Sequence, residues 1–410
     1  MPTRTMSGLI AVALAFIAPA CHRDVKSDAT AGPGPSASAP ARETSIKIGL
    51  ITSLTGKFSA LGSEDKKAVE LAVEQVNAKG GLLGRQVSLL TRDDQTLPDQ
   101  SVVAFNDMKG SDVVAIIGSP FSNSALATEP LAQREGIPYL SLTPAEEQVQ
   151  PIKSYVFVIP ALSSMYAERY LEYMRARKIE RIVTAYDTKG AYAVSGHTAM
   201  AALAPKYGVR IVKDEEFETS TTDFSPLITH LEGTGAQAFV FWGTGPSAIT
   251  LTKQYAAANV KIPLFMTGSQ ASKLWLGPVG AAGEKVTVSS AIGVVGEYLP
   301  DGPQKQVIDQ MAAPFRERYG YPPPQFAQDG YSACLLLFEA VKNAGSLDHA
   351  KVQQALEHLS LVTPNGTFKY SPTDHSGLTP EFISVNVVSD GKFVPTDWAK
   401  EKLASAIASR

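Results

Sequence analysis

The chain has 410 residues, of which 44% are hydrophobic, and its 37 basic and 40 acidic side chains leave a formal net charge of −3 at pH 7. These charges are spread evenly and form no basic stripe or polybasic segment, so neither nucleic acid nor an anionic lipid surface is indicated as a partner. The length is enough for about two domains of ordinary size.

The N-terminal residues have the composition of an export signal. Arg4 precedes the apolar run LIAVALAFIA, and the segment APAC ends at Cys21. An apolar run this short does not span a bilayer stably, so a cleaved signal is indicated. APAC resembles a bacterial lipobox, and residues 1–21 are therefore predicted to be a lipoprotein signal peptide. Cys21 would carry the lipid and anchor the protein to a bacterial membrane, in the periplasm or at the cell surface. The alternative is a nearby cut that releases a soluble periplasmic protein.

Residues 22–44 are rich in Pro, Gly, Ser and Ala and contain almost nothing to bury, so they are predicted to form a flexible linker. The second cysteine, Cys334, lies in the apolar helical run YSACLLLFEAV. A buried thiol is expected there, and a single remaining cysteine gives no disulfide framework.

From Ser45 onward, short β-rich runs alternate with longer helical runs. The first series contains the strands IKIGLIT, QVSLLTRDD, VVAIIG and IPYLSLT, and a second series contains RIVTAYD, VRIVKDEEF, AFVFWGT and IPLFMTG. This rhythm is typical of a parallel sheet with helices on both faces. Two similar α/β lobes are therefore predicted.

The remaining chain has helical patterns at residues 303–319, 327–344 and 349–358 and a final strand pair, EFISVNVVSDGKFV. Sharing these elements between the two sheets makes both lobes discontinuous. The predicted limits are 45–160 plus 291–360 for the first lobe, 161–290 plus 361–395 for the second, and 396–410 for a C-terminal tail.

Motifs of catalysis are missing from the sequence. No P-loop, His-Glu-x-x-His or Gly-x-Ser-x-Gly pattern occurs, and the six histidines are scattered singly. The sequence thus predicts no catalytic residues, no metal and no cofactor. The segment GTGPSA at residues 243–248 has glycines like those of a dinucleotide-binding turn, but no acidic residue follows about twenty positions later, so a tight strand-to-helix turn is the better interpretation.

Ligands of open α/β sheets bind beyond the carboxyl ends of the strands. The turns at those ends are GSPFSNS, SLTPAEE, YDTKGAYAVSG, FWGTGPS and MTGSQAS, which are rich in hydroxyl, glycine and aromatic residues. Such turns suit binding better than acid–base catalysis. Ser122 lies where a helix should begin, and the free amides of a helix start suit a carboxylate, although Ser is also a common helix cap.

Several segments together carry a resemblance to a known family. They are IKIGLITSLTGKFSALG, AVEQVNAKGGLLGRQVSLLTRDDQTLPDQS, IIGSPFSNSA, GIPYLSLTPA and DTKGAYAVSG. In these segments the chain resembles the type I periplasmic binding proteins of branched-chain amino-acid ABC importers, from Ser45 to about Val394. The resemblance implies two α/β lobes joined by a three-crossover hinge, which close on a small ligand and deliver it to an ABC permease in the membrane.

The resemblance also implies roles for individual residues. Ser122 corresponds to the serine that holds the ligand carboxylate, and Thr143 and Ala145 lie in the turn that binds the carboxylate and amino groups. Tyr192 and Trp242 correspond to aromatic residues of the second lobe that cover the ligand. The full predicted ligand-binding set is Phe121, Ser122, Thr143, Ala145, Tyr192, Trp242, Ser269, Gln270 and Phe326.

Two positions depart from the amino-acid-binding pattern. Ala145 stands where a threonine hydroxyl is usual, and Ser269 or Gln270 stands where an acidic residue usually faces the ligand ammonium. Phe121 and Phe326 extend the apolar part of the predicted pocket. For any one of the aromatic residues, ordinary core packing is an alternative.

The sequence thus predicts an extracytoplasmic substrate-binding protein, not an enzyme, that captures an amino acid or related small carboxylate between two lobes. The alternative is a ligand sensor of the same fold that reports to a regulator or receptor.

Overall fold

The computed structural model describes residues 45–408, so the predicted signal peptide, Cys21 and the linker lie outside the described residues. The first sheet has five parallel strands in the order β2-β1-β3-β4-β5. These strands are β1 (Ile46–Thr52), β2 (Val87–Asp93), β3 (Val113–Gly118), β4 (Tyr139–Ser141) and β5 (Val156–Val158). The helices between them are α1 (Ser59–Ala78), α2 (Pro98–Lys109) and α3 (Ser122–Glu135). The central strand β3 is buried along its whole length, as expected for a parallel strand that helices cover on both faces.

The second lobe repeats the alternation of strand and helix. Its elements are α4 (Ser163–Ala176), β6 (Arg181–Asp187), α5 (Ala191–Leu203), β7 (Arg210–Phe217), α6 (Ser225–Thr229), β8 (Ala238–Trp242), α7 (Pro246–Ala257), β9 (Leu264–Met266), α8 (Lys273–Val279) and β10 (Thr287–Ala291). The strand β8, sequence AFVFW, is fully buried, which matches its continuous apolar pattern.

The chain then returns to the first lobe. This part contains α9 (Pro303–Tyr319), α10 (Gln325–Ala344), α11 (His349–Glu357) and the hairpin of β11 (Ser360–Thr363) and β12 (Gly366–Lys369). Helix α10 packs against α1. Glycine is needed at position 330 for this close approach, because a Cβ there would lie 2.8 Å from the Asp65 carbonyl oxygen.

The last strands complete the second sheet. Strands β13 (Ile383–Ser389) and β14 (Lys392–Pro395) add antiparallel to β10, which gives the order β14-β13-β10-β9-β8-β6-β7. The segment predicted as a tail contains α12 (Asp397–Ala408), whose Ala399 and Leu403 are buried. The chain crosses between the sheets after β5, after β10 and before β13. The predicted fold class, two parallel-sheet α/β lobes with three crossovers, is confirmed.

The lobe limits in residue numbers stay a prediction, and one set of contacts bears on them. After the β11–β12 hairpin, Tyr370 Oη donates to the Val158 carbonyl at 2.9 Å, and His375 Nδ1 lies 2.8 Å from the Val156 carbonyl. Both bonds are to β5 of the first sheet. They favour a return to the second lobe near β13 rather than at residue 361.

Across residues 45–408, none of the helices combines the length and the apolar character needed to cross a bilayer.

Candidate functional site

The two sheets place equivalent loops opposite each other. In the first sheet β1 lies between β2 and β3, and in the second sheet β6 lies between β7 and β8 in the same way. The loops that follow β1, β3, β6 and β8 therefore leave at topological switch points, where open α/β sheets bind ligands. They line one cleft of ≈ 720 Å³, counted out to its mouth.

The cleft takes its lining from both lobes and from the first crossover. The residues from the first lobe are Phe58, Pro120, Phe121, Ser122, Asn123, Leu142, Pro144, Gln325, Phe326 and Asp329. Those from the crossover and the second lobe are Pro160, Tyr166, Asp187, Gly190, Ala191, Tyr192, Ala193, Thr219, Gly243, Thr244, Gly268 and Ser269.

The start of α3 forms the part of the cleft best suited to an anion. The N-cap residue is Phe121, no side chain caps the helix, and the first turn carries no acidic residue. The hydroxyl of Ser122 hydrogen-bonds with the hydroxyl of Thr143 rather than with the helix backbone. The first-turn amides, the hydroxyl pair and the positive end of the helix together suit a carboxylate. The helix-cap interpretation of Ser122 is therefore not what the structure shows.

A buried carboxylate supports the loops around this helix start. Asp94 is fully buried, and its carboxylate accepts hydrogen bonds from the Ser53 hydroxyl at 2.6 Å, the Thr96 amide at 2.9 Å and the Ser119 hydroxyl. Ser53 follows β1 and Ser119 follows β3. One carboxylate thus holds the two loops that leave the first sheet at its switch point.

Aromatic rings form the apolar walls of the cleft. Phe58 and Phe121 contact each other with centroids 5.1 Å apart, and Phe326 packs in the same apolar cluster. On the second lobe, Tyr192 meets Trp242 edge to face with centroids 5.9 Å apart. A ligand with an apolar group would therefore find rings on both sides.

The lobes are in direct contact at the rim of the cleft. The Asn123 side chain donates from Nδ2 to the Lys189 carbonyl at 3.0 Å and accepts at Oδ1 from the Ala191 amide at 3.0 Å. Gly245 in the predicted tight turn has φ of 69°, and a Cβ there would lie 2.8 Å from the Phe58 ring. The two lobes therefore touch across the rim of the cleft.

Five of the nine predicted ligand-binding residues line the cleft, namely Phe121, Ser122, Tyr192, Ser269 and Phe326. The chain brings them together from three separate loops, after β3, β6 and β9, and from the start of α10. Their roles toward a ligand stay predictions.

The other four predicted residues lie behind this surface. Thr143 is buried and reaches the cleft through its bond with Ser122. Ala145, Trp242 and Gln270 are buried and do not belong to the lining found within residues 45–408. Trp242 lies behind Tyr192, and Gln270 donates to the Gly243 carbonyl at 3.0 Å. Direct contact with a ligand is therefore better provided by Tyr192 than by Trp242.

The sequence did not identify two acidic residues of the cleft. Asp187, at the end of β6, accepts from the Lys189 amide at 3.0 Å and from the Thr219 hydroxyl at 2.5 Å. Asp329 lies on α10, one turn after Phe326, and burial raises its pKa to about 8, against the opposing effect of the Asn365 and Gln325 amides. An available signal was the position of Asp329 three residues after Phe326, which puts both residues on one helix face.

The arrangement can bind a small molecule and enclose it. One lobe supplies hydroxyls and amides for an anion, and both lobes supply aromatic walls. Within the part of the chain that the structure describes, no group of three or more His, Cys, Asp or Glu side chains could hold a metal ion. The fold and the cleft are those of a two-lobed ligand-binding protein, with a candidate site between the lobes.

Comparison with known proteins identifies the family to which this two-lobed protein belongs. The family described as "Periplasmic binding protein" matches residues 45–392, and the chain belongs to this family. It is a substrate-binding protein rather than an enzyme, and the family places it outside the cytoplasm.

Individual relatives span nearly the whole chain. The chain is 27% identical over 364 residues to Leu/Ile/Val-binding protein homolog 3 of Brucella melitensis, which covers 87% of this chain and 95% of that protein. A solute-binding protein from R. palustris, solved in complex with benzoate, superposes with a TM-score of 0.75 at 22% identity, over 86% of this chain and 95% of the other. A branched-chain amino acid transporter substrate-binding protein from Streptococcus pneumoniae, solved with isoleucine, also gives 0.75, at 20% identity and over 85% and 98% of the two chains. These two structures have the same fold and different ligands.

Proposed function

We propose that this protein captures an amino acid or a related small carboxylate between its lobes and delivers it to an ABC importer. The observation that carries the proposal is the pairing of an anion-binding helix start on one lobe with Tyr192 on the other, across a cleft that closure seals. Neither lobe alone can remove such a ligand from water. Contacts made only on closure would drive closure, because a ligand shifts a conformational balance by its difference in affinity for the two states.

The relatives support the ligand class in two ways. The name of the Brucella protein refers to leucine, isoleucine and valine, and the R. palustris structure holds benzoate. Both kinds of ligand combine a carboxylate with an apolar group. The Ser122 region would bind the carboxylate, and the rings of Phe58, Phe121, Phe326 and Tyr192 would surround the apolar group.

A thermal-shift screen of purified protein tests this proposal. The panel contains aliphatic and aromatic amino acids and the corresponding carboxylates without an amino group. We expect at least one carboxylate to raise the melting temperature and to bind with micromolar or better affinity in titration calorimetry. At saturating ligand, small-angle scattering should show a protein as compact as this structure, in which the two lobes touch. If no carboxylate binds, the proposed ligand class is wrong.

Delivery to an importer needs a test in cells. Deleting the gene should reduce uptake of the radiolabelled ligand, and a plasmid copy should restore it. A sensor of the same fold would leave uptake unchanged and alter the response of a regulator or receptor to the ligand. Unchanged uptake in the deletion strain contradicts the importer role.

The proposal includes a lipid anchor at Cys21, which lies outside the described residues. Its support is the segment APAC and the linker that follows it. Cell fractionation should find the parent protein with the membrane and the Cys21→Ser variant free of it. A variant that stays as membrane-bound as the parent excludes the lipid anchor.

A further inference from the structure

One acidic side chain of the cleft is held in a way that the general binding role does not require. Asp329 is 2% exposed, lines the cleft and lies in the second turn of α10. A buried carboxyl is costly unless it is neutral or paired. An unpaired buried acid inside a ligand cleft is a candidate for contact with the ligand.

Two amides fix the orientation of this carboxyl. Asp329 Oδ1 accepts from Asn365 Nδ2 at 2.7 Å and from Gln325 Nε2 at 3.0 Å. Gln325 is itself held, because its Oε1 accepts from the Ala291 amide at 2.7 Å. No described residue hydrogen-bonds to the second oxygen, Oδ2. The carboxyl is thus preorganised with one oxygen left for another donor.

The surroundings of Asp329 contain no compensating cation. Among residues 45–408, Asp329 forms no ion pair with a Lys, Arg or His side chain. The titratable groups that face it are the Asp65 carboxyl on α1 and the Tyr166 hydroxyl on α4. Neither group carries a positive charge, and burial raises the pKa of Asp329 to about 8, so this carboxyl is mostly protonated at pH 7 in the free protein.

The other acid of the cleft lining and the Ser269 hydroxyl are already engaged. Both oxygens of Asp187 have protein donors, namely the Lys189 amide and the Thr219 hydroxyl. At the position where the family resemblance implied an acid, the Ser269 hydroxyl donates to the Gly243 carbonyl at 3.2 Å. Asp329 is the acid of the cleft lining whose carboxyl keeps an oxygen free.

We propose that Asp329 Oδ2 accepts a hydrogen bond from an amine of the ligand, so that the cleft selects small carboxylates that also carry an ammonium group. This inference rests on the proposed carboxylate-binding function and names the substrate class more narrowly. When the ammonium group binds, the Asp329 proton leaves to solvent and a buried ion pair forms. The ligand charge then replaces the proton as the group that neutralises the carboxyl.

Matched pairs of probes test the inference. The first pair is L-leucine and 4-methylpentanoate, and the second is L-phenylalanine and 3-phenylpropanoate. Within each pair, the two compounds differ only in the amino group. We expect the parent protein to prefer at least one amino acid over its partner. Asp329→Asn should weaken binding of that amino acid by roughly ten- to a hundredfold, the usual loss for a hydrogen bond to a charged group. Binding of the partner without the amino group should change little. The control Asp214→Asn, at a partly exposed acid that does not line the cleft, should keep the preference of the parent.

Proton release in the parent protein provides a second measurement that needs no variant. Titration calorimetry at pH 7, in buffers of different ionisation enthalpy, counts the protons exchanged on binding. A carboxyl with a pKa near 8 is mostly protonated at this pH, so the amino acid should release close to one proton. The partner without the amino group should release none.

Four outcomes would overturn the inference: both amino acids fail to bind, each pair binds with equal affinity, the preference persists in Asp329→Asn, or the amino acid releases no proton. A preference lost in Asp187→Asn and kept in Asp329→Asn also overturns it. If one of these outcomes occurs while carboxylates without an amino group bind and depend on Ser122, the proposed carboxylate-binding function stands and this inference fails. If no carboxylate binds, both fail.

Discussion

Removing the side chain of Asn123 is expected to weaken the closed state of the protein. Asn123→Ala removes the bonds to the Lys189 carbonyl and the Ala191 amide, both of 3.0 Å and both across the cleft. A net intramolecular hydrogen bond is worth about 0.5 to 1.5 kcal/mol, so the pair contributes at most about 3 kcal/mol. Because Asn123 is partly exposed and water can replace its bonds, we expect a loss of about 1 kcal/mol, or roughly fivefold in affinity.

The loss should lie mainly in the dissociation rate. The open protein that meets the ligand has not formed this bridge, so the association rate should change little, whereas the closed complex should open sooner. Stopped-flow measurement with the tightest ligand of the screen gives both rates. The matched control is Asn106→Ala, at an exposed asparagine whose side chain, among residues 45–408, hydrogen-bonds to the Val102 carbonyl of its own helix and to no group of the other lobe. Equal dissociation rates for Asn123→Ala and the parent would refute the reasoning.

Three further changes have distinct expected results. Ser122→Ala should weaken carboxylate binding in calorimetry by roughly ten- to a hundredfold, since it removes a hydrogen bond to a charged group worth about 1.5 to 3 kcal/mol. An affinity equal to that of the parent protein would show that Ser122 does not bind the carboxylate. Gly196→Ala puts a Cβ 2.1 Å from the ring of Trp242 and should lower the free energy of unfolding by about 1 to 3 kcal/mol, whereas Gly277→Ala, a helical glycine with open space around it, should not. Burial raises the pKa of Glu129 from 4.5 to about 7, so the folded state keeps a proton that the unfolded state releases. The free energy of unfolding should therefore fall by roughly 3 kcal/mol between pH 4.5 and 7 through this group, and denaturant titrations of Glu129→Gln at pH 5 and 8 should lack that fall.

Much of the fold follows from local patterns in the sequence. The helix predicted over residues 303–319 is α9, and the helix predicted from residue 327 is α10, which begins at Gln325 after a proline. Continuous apolar runs such as VVAIIG are buried parallel strands. The side on which the β11–β12 hairpin packs was not predictable, because its contacts at Tyr370 and His375 join residues more than 200 positions apart.

In the candidate site, too, some residues follow from local sequence patterns and others depend on tertiary packing. Ser122 could be predicted because a helix start directly after a buried strand is a local feature, and the ends of parallel strands meet at one edge of the sheet. Trp242 ends its strand, and the sequence does not reveal which face of the sheet its side chain takes. In the structure that face is covered by α5, where the missing side chain of Gly196 makes room for the indole.

Asp329 was missed for a related reason. Helix α10 is buried over its first ten residues, so no polar stripe distinguishes the face toward the cleft from the face toward α1. Only the packing of α10 between the sheet and α1 decides that Asp329 lines the cleft, with Gln325 and Asn365 fixing its carboxyl. A buried acid is costly for a helix that could carry an apolar residue instead. That cost is understandable if the carboxyl is neutral in the empty protein and ionises only when a ligand supplies the positive charge.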